Sequence, residues 1–120
     1  MHNYKKLIVW QKSGELAVDI YHLTKQFLNE EKFGMTMQAR KSSCSIANNI
    51  AENSRKSSGK EFDRFLEISD GSSAELNTQL IISNLVEYIS EDELLSFENR
   101  IDEIQKMISS LKEKNLISKI

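Results

Sequence analysis

Apolar residues recur at helical spacing along most of this chain, most regularly near its end. Leu94, Phe97, Ile101, Ile104, Ile108 and Leu111 alternate intervals of three and four, separated by residues such as Glu98, Arg100, Asp102, Glu103 and Lys106. That seam, two apolar positions in seven, is how helices pack side by side. It predicts a helix over 91–115, and Ser90 with Glu93 reads as the capping box that opens it. Nearer the start, Leu16, Ile20, Leu23 and Phe27 follow the same rhythm, with Val9, Ala17 and Tyr21 widening the stripe, which predicts a helix over 10–28. Gly34 then interrupts, offering a positive backbone dihedral.

A third periodic stretch, 35–56, is rich in serine and asparagine, which compete for backbone hydrogen bonds. Its stripe of Ala39, Ser43, Ile46, Ala47 and Ile50 keeps helical spacing, and its small members predict a closely crowded interface. After the break at SRKSSG, a helix is expected over 60–88, with Phe62, Phe65, Leu66, Ser69, Ser73, Leu76, Leu80 and Ser83 on one face. Four amphipathic segments with short connections predict one all-α domain over residues 1–120, an antiparallel up-down-up-down four-helix bundle.

Composition supports this picture. The 120 residues include no proline and four glycines, so little interrupts a helix, and no run of alternating β-formers suggests a strand. The longest early apolar run, Leu7 to Trp10, is too short for a signal-peptide core, and nothing approaches the ~20 apolar residues of a membrane span. The lone Cys44 suits a reducing compartment, so a cytoplasmic location without membrane partners is expected.

Candidate chemistry is sparse. A carboxylate-bridged metal centre would need two Glu-x-x-His motifs. The nearest match runs from Asp19 to His22, and the other histidine is His2. Cys44 has no histidine near it in sequence to activate it and reads as a small buried hydrophobe. No glycine-rich phosphate loop occurs. Glu30-Glu31 and Glu91-Asp92-Glu93 read as charges at helix ends, and Trp10 as core or interface packing. The expectation is a protein that is not an enzyme, with no catalytic residues, metal or cofactor.

Charge adds one functional hint. The net charge of −2 divides into +4 over residues 1–64 (11 basic, 7 acidic) and −6 over 65–120 (5 basic, 11 acidic). Complementarity between neighbouring helices accounts for this most simply; attraction of phosphates is the alternative. The candidate nucleic-acid-binding residues are Arg40, Lys41, Arg55, Lys56, Lys60 and Arg64, the last four flanking the turn between the second and third helices.

Three strings then carry a resemblance: VWQKSGELAVDIY, FGMTMQARKSSCSIANNIAEN and GKEFDRFLEISDGSSAELNTQL. In this order they resemble the 23S rRNA intervening-sequence (S23) protein family. Gln38 and Arg40 fall on its Q-x-R pair, Asn49 to Glu52 on its NIAE core, Arg55 on the basic position after it, and Lys60 to Phe62 on KEF. Lys41 stands where an arginine is usual, keeping charge but losing bidentate phosphate geometry. Ala47 replaces a common proline, which implies a less kinked second helix, and Asn53 replaces a common glycine, which implies a longer one. The resemblance implies a non-enzymatic homo-oligomer, a homopentameric ring of four-helix bundles. It also implies RNA or DNA, or a protein such as the reverse transcriptase of a diversity-generating retroelement, as partner. The alternative kept open is a protein–protein interaction module that binds no nucleic acid.

Overall fold

In the computed structural model, residues 3–55 and 64–118 are described; the side chains of 115–118 are not. Four helices pack around one core: α1 (Ile8–Thr24), α2 (Met35–Ser54), α3 (Arg64–Leu85) and α4 (Glu91–Ser118). Short 3-10 turns at Tyr4–Lys6 and Asn29–Glu31 precede α1 and α2. No strand occurs among the described residues. Each helix touches its sequence neighbours and α4 returns to α1, while the diagonal pairs do not meet. The molecule is elongated, 49 × 23 × 22 Å, as expected of helices laid side by side.

The predicted stripes form the core. Leu16, Ile20, Ile46, Ile50, Leu66, Leu76, Leu80, Ile101, Ile104 and Ile108 are shut off from solvent almost completely. Buried serines accompany them. Ser13 and Ser83 satisfy their hydroxyls on the carbonyls four residues back, Val9 O at 2.7 Å and Gln79 O at 2.8 Å. At the α2–α3 contact the serines bridge helices: Ser69 Oγ donates to the Ile46 carbonyl at 2.9 Å, and Ser45 Oγ lies 2.8 Å from Ser72 Oγ. A hydroxyl one carbon from the backbone reaches a neighbouring main chain only when the axes come close, which is the crowding that the small-residue stripe predicts.

Each helix end has a local cause. The Ser90–Glu93 capping box is present: Glu93 N–H donates to Ser90 Oγ at 3.1 Å and Ser90 N–H to Glu93 Oε1 at 2.9 Å. Helix α1 ends at Thr24 rather than at 28, because Gln26 and Phe27 turn back onto the Leu23 and Thr24 carbonyls. Helix α2 closes at Ser54 with Arg55 as its cap residue, so Asn53 in place of glycine does not carry it to 56. Helix α3 stops at Leu85, short of the expected 88. Tyr88 N–H bonds Ser83 O and Glu87 N–H bonds Asn84 O, the paired bonds of a Schellman ending, with Glu87 in the left-handed region at φ 68°. Its expected start at 60, with Phe62 on its stripe, lies outside the described residues.

Two further expectations are corrected. Gly34 has φ −105° and not a positive value. What it supplies is room: a Cβ there would stand 2.7 Å from Glu31 Oε1. That carboxylate accepts the Met35 N–H at 3.3 Å, serving the start of α2, which has no side-chain cap of its own. Tyr21 does not widen the core stripe either; it is exposed, with its ring under the Arg40 guanidinium.

Candidate nucleic-acid interface

Arg40 is the candidate best defined by its surroundings. From α2 it reaches the last turn of α1, where Nε donates to Thr24 Oγ1 at 2.8 Å and Nη2 to the Tyr21 carbonyl at 3.3 Å. The guanidinium stands 4.6 Å from the centroid of the Tyr21 ring. Thr24 is buried and donates its own proton to Ile20 O and Tyr21 O, at 2.8 and 3.2 Å, leaving a lone pair for the arginine. The carbonyls of a helix's last turn lack intrahelical partners and carry partial negative charge. Arg40 therefore ties two helices together and meets both needs.

Lys41, one position on, is exposed. It borders a groove of about 600 Å³ on the α1–α2 side, whose lining includes Tyr21, Phe33, Met37 and Cys44. Phe33 is 76% exposed and Met37 47%, so the groove is apolar, rimmed by Lys32, Arg40 and Lys41 with no carboxylate in its wall. Cys44 is half-buried and faces this groove; it is not the core residue expected. Lys41 also borders a shallower, more polar groove between α2 and α3, with Glu75 and Gln79 on its other bank.

Arg55 is exposed at the end of α2, and Arg64 is exposed at the start of α3. The fourteen residues from Lys41 to Arg55 place them about 21 Å apart along α2. The candidates thus divide into a pair at the groove and a set at the α2–α3 turn. Lys56 and Lys60 belong to that turn by sequence and lie outside the described residues.

Elsewhere, several side chains have structural partners. Lys12 pairs with Glu103 and Arg100 with Asp19, each at 2.8 Å, joining α1 to α4. Trp10 is half-buried, edge-on to Tyr4 at 5.3 Å, and His22 is exposed. Among the described residues, no cluster of His, Cys, Asp or Glu has the grouping of a metal site, and no helix is long and apolar enough to cross a membrane.

The groove escaped the sequence reading because Phe33 and Met37 lie between helical stripes, with no periodic signal. Their one legible mark was apolar character at positions that no core stripe used.

Comparison with known proteins agrees with this architecture. A solved structure from Bacteroides thetaiotaomicron VPI-5482, described as a protein with unknown function from the S23 ribosomal protein family, superposes with a TM-score of 0.79. It is 31% identical, over 87% of this chain and 97% of its own. No curated protein matches the chain. The model of the 23S rRNA-intervening sequence protein family matches residues 5–110, nearly all of the four-helix region, and the chain belongs to that family.

Proposed function

We propose that this protein is a non-enzymatic, cytoplasmic, self-associating scaffold that binds RNA or DNA phosphates through the basic positions of α2 and the α2–α3 turn. The observation that carries this reading is the exposure of Lys41, Arg55 and Arg64 in the half of the chain with a +4 balance. Arg40 contributes less, because two of its N–H groups already serve the end of α1. In the proposed assembly each subunit is an up-down-up-down bundle. The cross-links support that direction: Gln26 meets Glu93, Asp19 meets Arg100 and Lys12 meets Glu103, so the late part of α1 lies beside the early part of α4. A homopentameric ring repeats each subunit's few cations five times, and phosphate contacts add across subunits.

The test is a titration with a structured RNA at low salt and micromolar protein. Binding is expected, weakening steeply as salt rises, with Arg55→Glu and Arg64→Glu weakening it further. No binding under those conditions overturns the nucleic-acid reading. The second reading is a protein-interaction module, with a reverse transcriptase among its candidate partners. The Lys12–Glu103 pair favours it, since part of the basic half is already neutralised by the acidic half. That reading predicts intact oligomers with no RNA affinity.

A further inference from the structure

The groove on the α1–α2 side brings together three kinds of side chain: apolar with an aromatic share, cationic, and amide. From Met37 to Asn48 it follows α2 for about 16 Å. Phe33 and Met37 are largely in water here, and Tyr21, also in the wall, is 43% exposed. A contiguous apolar surface rimmed by polar groups marks a place where something binds. The rim keeps its charge. Lys32 Nζ stands 5.6 Å from the centroid of the Phe33 ring, and the partners that hold Arg40, Thr24 Oγ1 and the Tyr21 carbonyl, are both uncharged. Among the described residues, neither cation has a carboxylate within ion-pair reach. Lys41 stands on the ridge between this groove and the one that holds Glu75, so its charge is shared between the two. The amides are those of Asn48, which is exposed, and Asn49. Asn49 Nδ2 donates to the Ser45 carbonyl at 2.8 Å and to Ser45 Oγ at 3.0 Å, which leaves its Oδ1 to accept.

Apolar surface with a cationic rim suits an acidic amphipathic helix as well as a nucleic acid, and the amides separate the two. A helix satisfies its backbone polar groups internally, so it asks only for an apolar wall and cations. An unpaired ribonucleotide has a flat base that stacks on an aromatic ring and a phosphate that meets a cation. Its base edges and 2′-hydroxyl give and take hydrogen bonds, which is what amides offer. We infer that this groove binds single-stranded RNA, with a base stacked on Phe33, phosphates at Lys32 and Arg40, and Asn48 and Asn49 on the base edges or the 2′-hydroxyl. A duplex keeps its bases stacked on one another and has none to offer Phe33. This inference rests on the nucleic-acid reading above. It deepens that reading by placing base binding at the groove rather than at the α2–α3 turn.

The test follows the fluorescence anisotropy of a short labelled oligoadenylate RNA at low salt and micromolar protein. The single strand is expected to bind about tenfold more tightly than the same strand paired with oligouridylate. Phe33→Ala is expected to cost about tenfold and to leave the salt dependence as it was, because stacking releases no counterions. Lys32→Gln is expected to lower the slope of that salt dependence by about 1. Phe33 is exposed and lies before α2, so helix content by circular dichroism should not change. Phe33→Trp is expected to keep the affinity, and its added fluorescence, read over that of Trp10, to be quenched as the RNA binds. A wild type that binds structured RNA, with Phe33→Ala binding the oligoadenylate equally well, overturns the groove site and leaves the basic-turn reading standing. A wild type that binds neither RNA removes the nucleic-acid reading, and this inference with it. Equal affinity for the duplex, or for oligodeoxyadenylate, overturns the assignment to single-stranded RNA. Phe33→Trp fluorescence that responds to an amphipathic peptide of leucine and glutamate, and not to the RNA, overturns it in favour of a protein partner.

Discussion

Helices α2 and α3 meet through hydroxyls and small side chains, whereas α1 and α4 meet through long charged ones. At the first contact Ser45, Ser69 and Ser72 let one helix bond directly to the main chain or hydroxyl of the other, and the main chains of these two helices run close together over more of their length than any other pair. At the second, Lys12–Glu103 and Asp19–Arg100 join the helices through ion pairs, with Gln26–Glu93 just beyond the end of α1, and the main chains approach each other least often of the four pairs. Both contacts belong to one bundle, yet they resist perturbation differently. Close packing fails when volume is added, since neither axis can move without disturbing the core on its far side. Exposed ion pairs tolerate change, because water and salt replace most of what each partner offers.

The largest effect is therefore expected from Ser69→Leu. Ser69 has no exposed surface and its oxygen bonds the Ile46 carbonyl, so a leucine must force the axes apart. A loss of about 2–3 kcal/mol in urea unfolding is expected from overpacking, against about 1 kcal/mol for Ser69→Ala, which removes only the hydrogen bond. Equal losses for the two variants would mean that α2 and α3 are not closely held, and the contrast with α1–α4 would disappear.

An intermediate effect, of opposite sign, belongs to the joint between α3 and α4. Glu87 holds a left-handed conformation that glycine adopts without steric cost, and its side chain is exposed. Glu87→Gly is expected to raise the unfolding free energy by about 1 kcal/mol, the left-handed penalty of a residue with a Cβ less the added freedom of the unfolded chain. A decrease would mean that the Schellman ending does not hold in solution.

How much of this was legible in the sequence depends on whether the cause is local. The stripe from Leu94 to Leu111, the Ser90–Glu93 box and the crowding around Ser69 all rest on neighbours within a turn or on residue size, and each is found as expected. The left-handed stop at Glu87 was hidden, because glycine is the usual signal and is absent. The tie that Arg40 makes between α1 and α2 was not legible, since its partners Thr24 and Tyr21 lie well back in the chain and become neighbours only after folding. The groove arises in the same way. Phe33, Met37 and Tyr21 make a concave wall only when α1 and α2 are side by side.

A smaller effect probes the charged seam directly. The side chains of Lys12 and Glu103 are 44% and 55% exposed, and those of Arg100 and Asp19 are 35% and 47%. Double-mutant cycles at each pair are expected to give couplings of about 0.5 kcal/mol or less, fading as salt approaches about 1 M. A salt-resistant coupling several times larger would place α1–α4 among the structural contacts and erase its difference from α2–α3.

The smallest effect is expected where the two connecting turns touch. Tyr88, after α3, packs its ring 5.2 Å from Phe27 and donates its hydroxyl to Glu31 Oε2 at 2.7 Å, while the other oxygen of that carboxylate serves the start of α2. The hydrogen bond to Glu31, then burial, then the negative charges of Glu31 and Glu30 all favour the neutral phenol, so its pKa is raised above the ordinary 10.0. A phenol whose folded pKa is raised contributes its stabilisation in full below the unfolded value and loses it as pH climbs through the folded one. This contact should thus hold at neutral pH and loosen only in strong alkali. Ultraviolet titration of the wild type minus Tyr88→Phe isolates this one phenol, and its midpoint is expected above 10.0. Glu31→Gln should bring the midpoint down, since the amide still accepts the proton but carries no charge. A midpoint at the ordinary tyrosine value in wild type would show that the turns do not meet in solution.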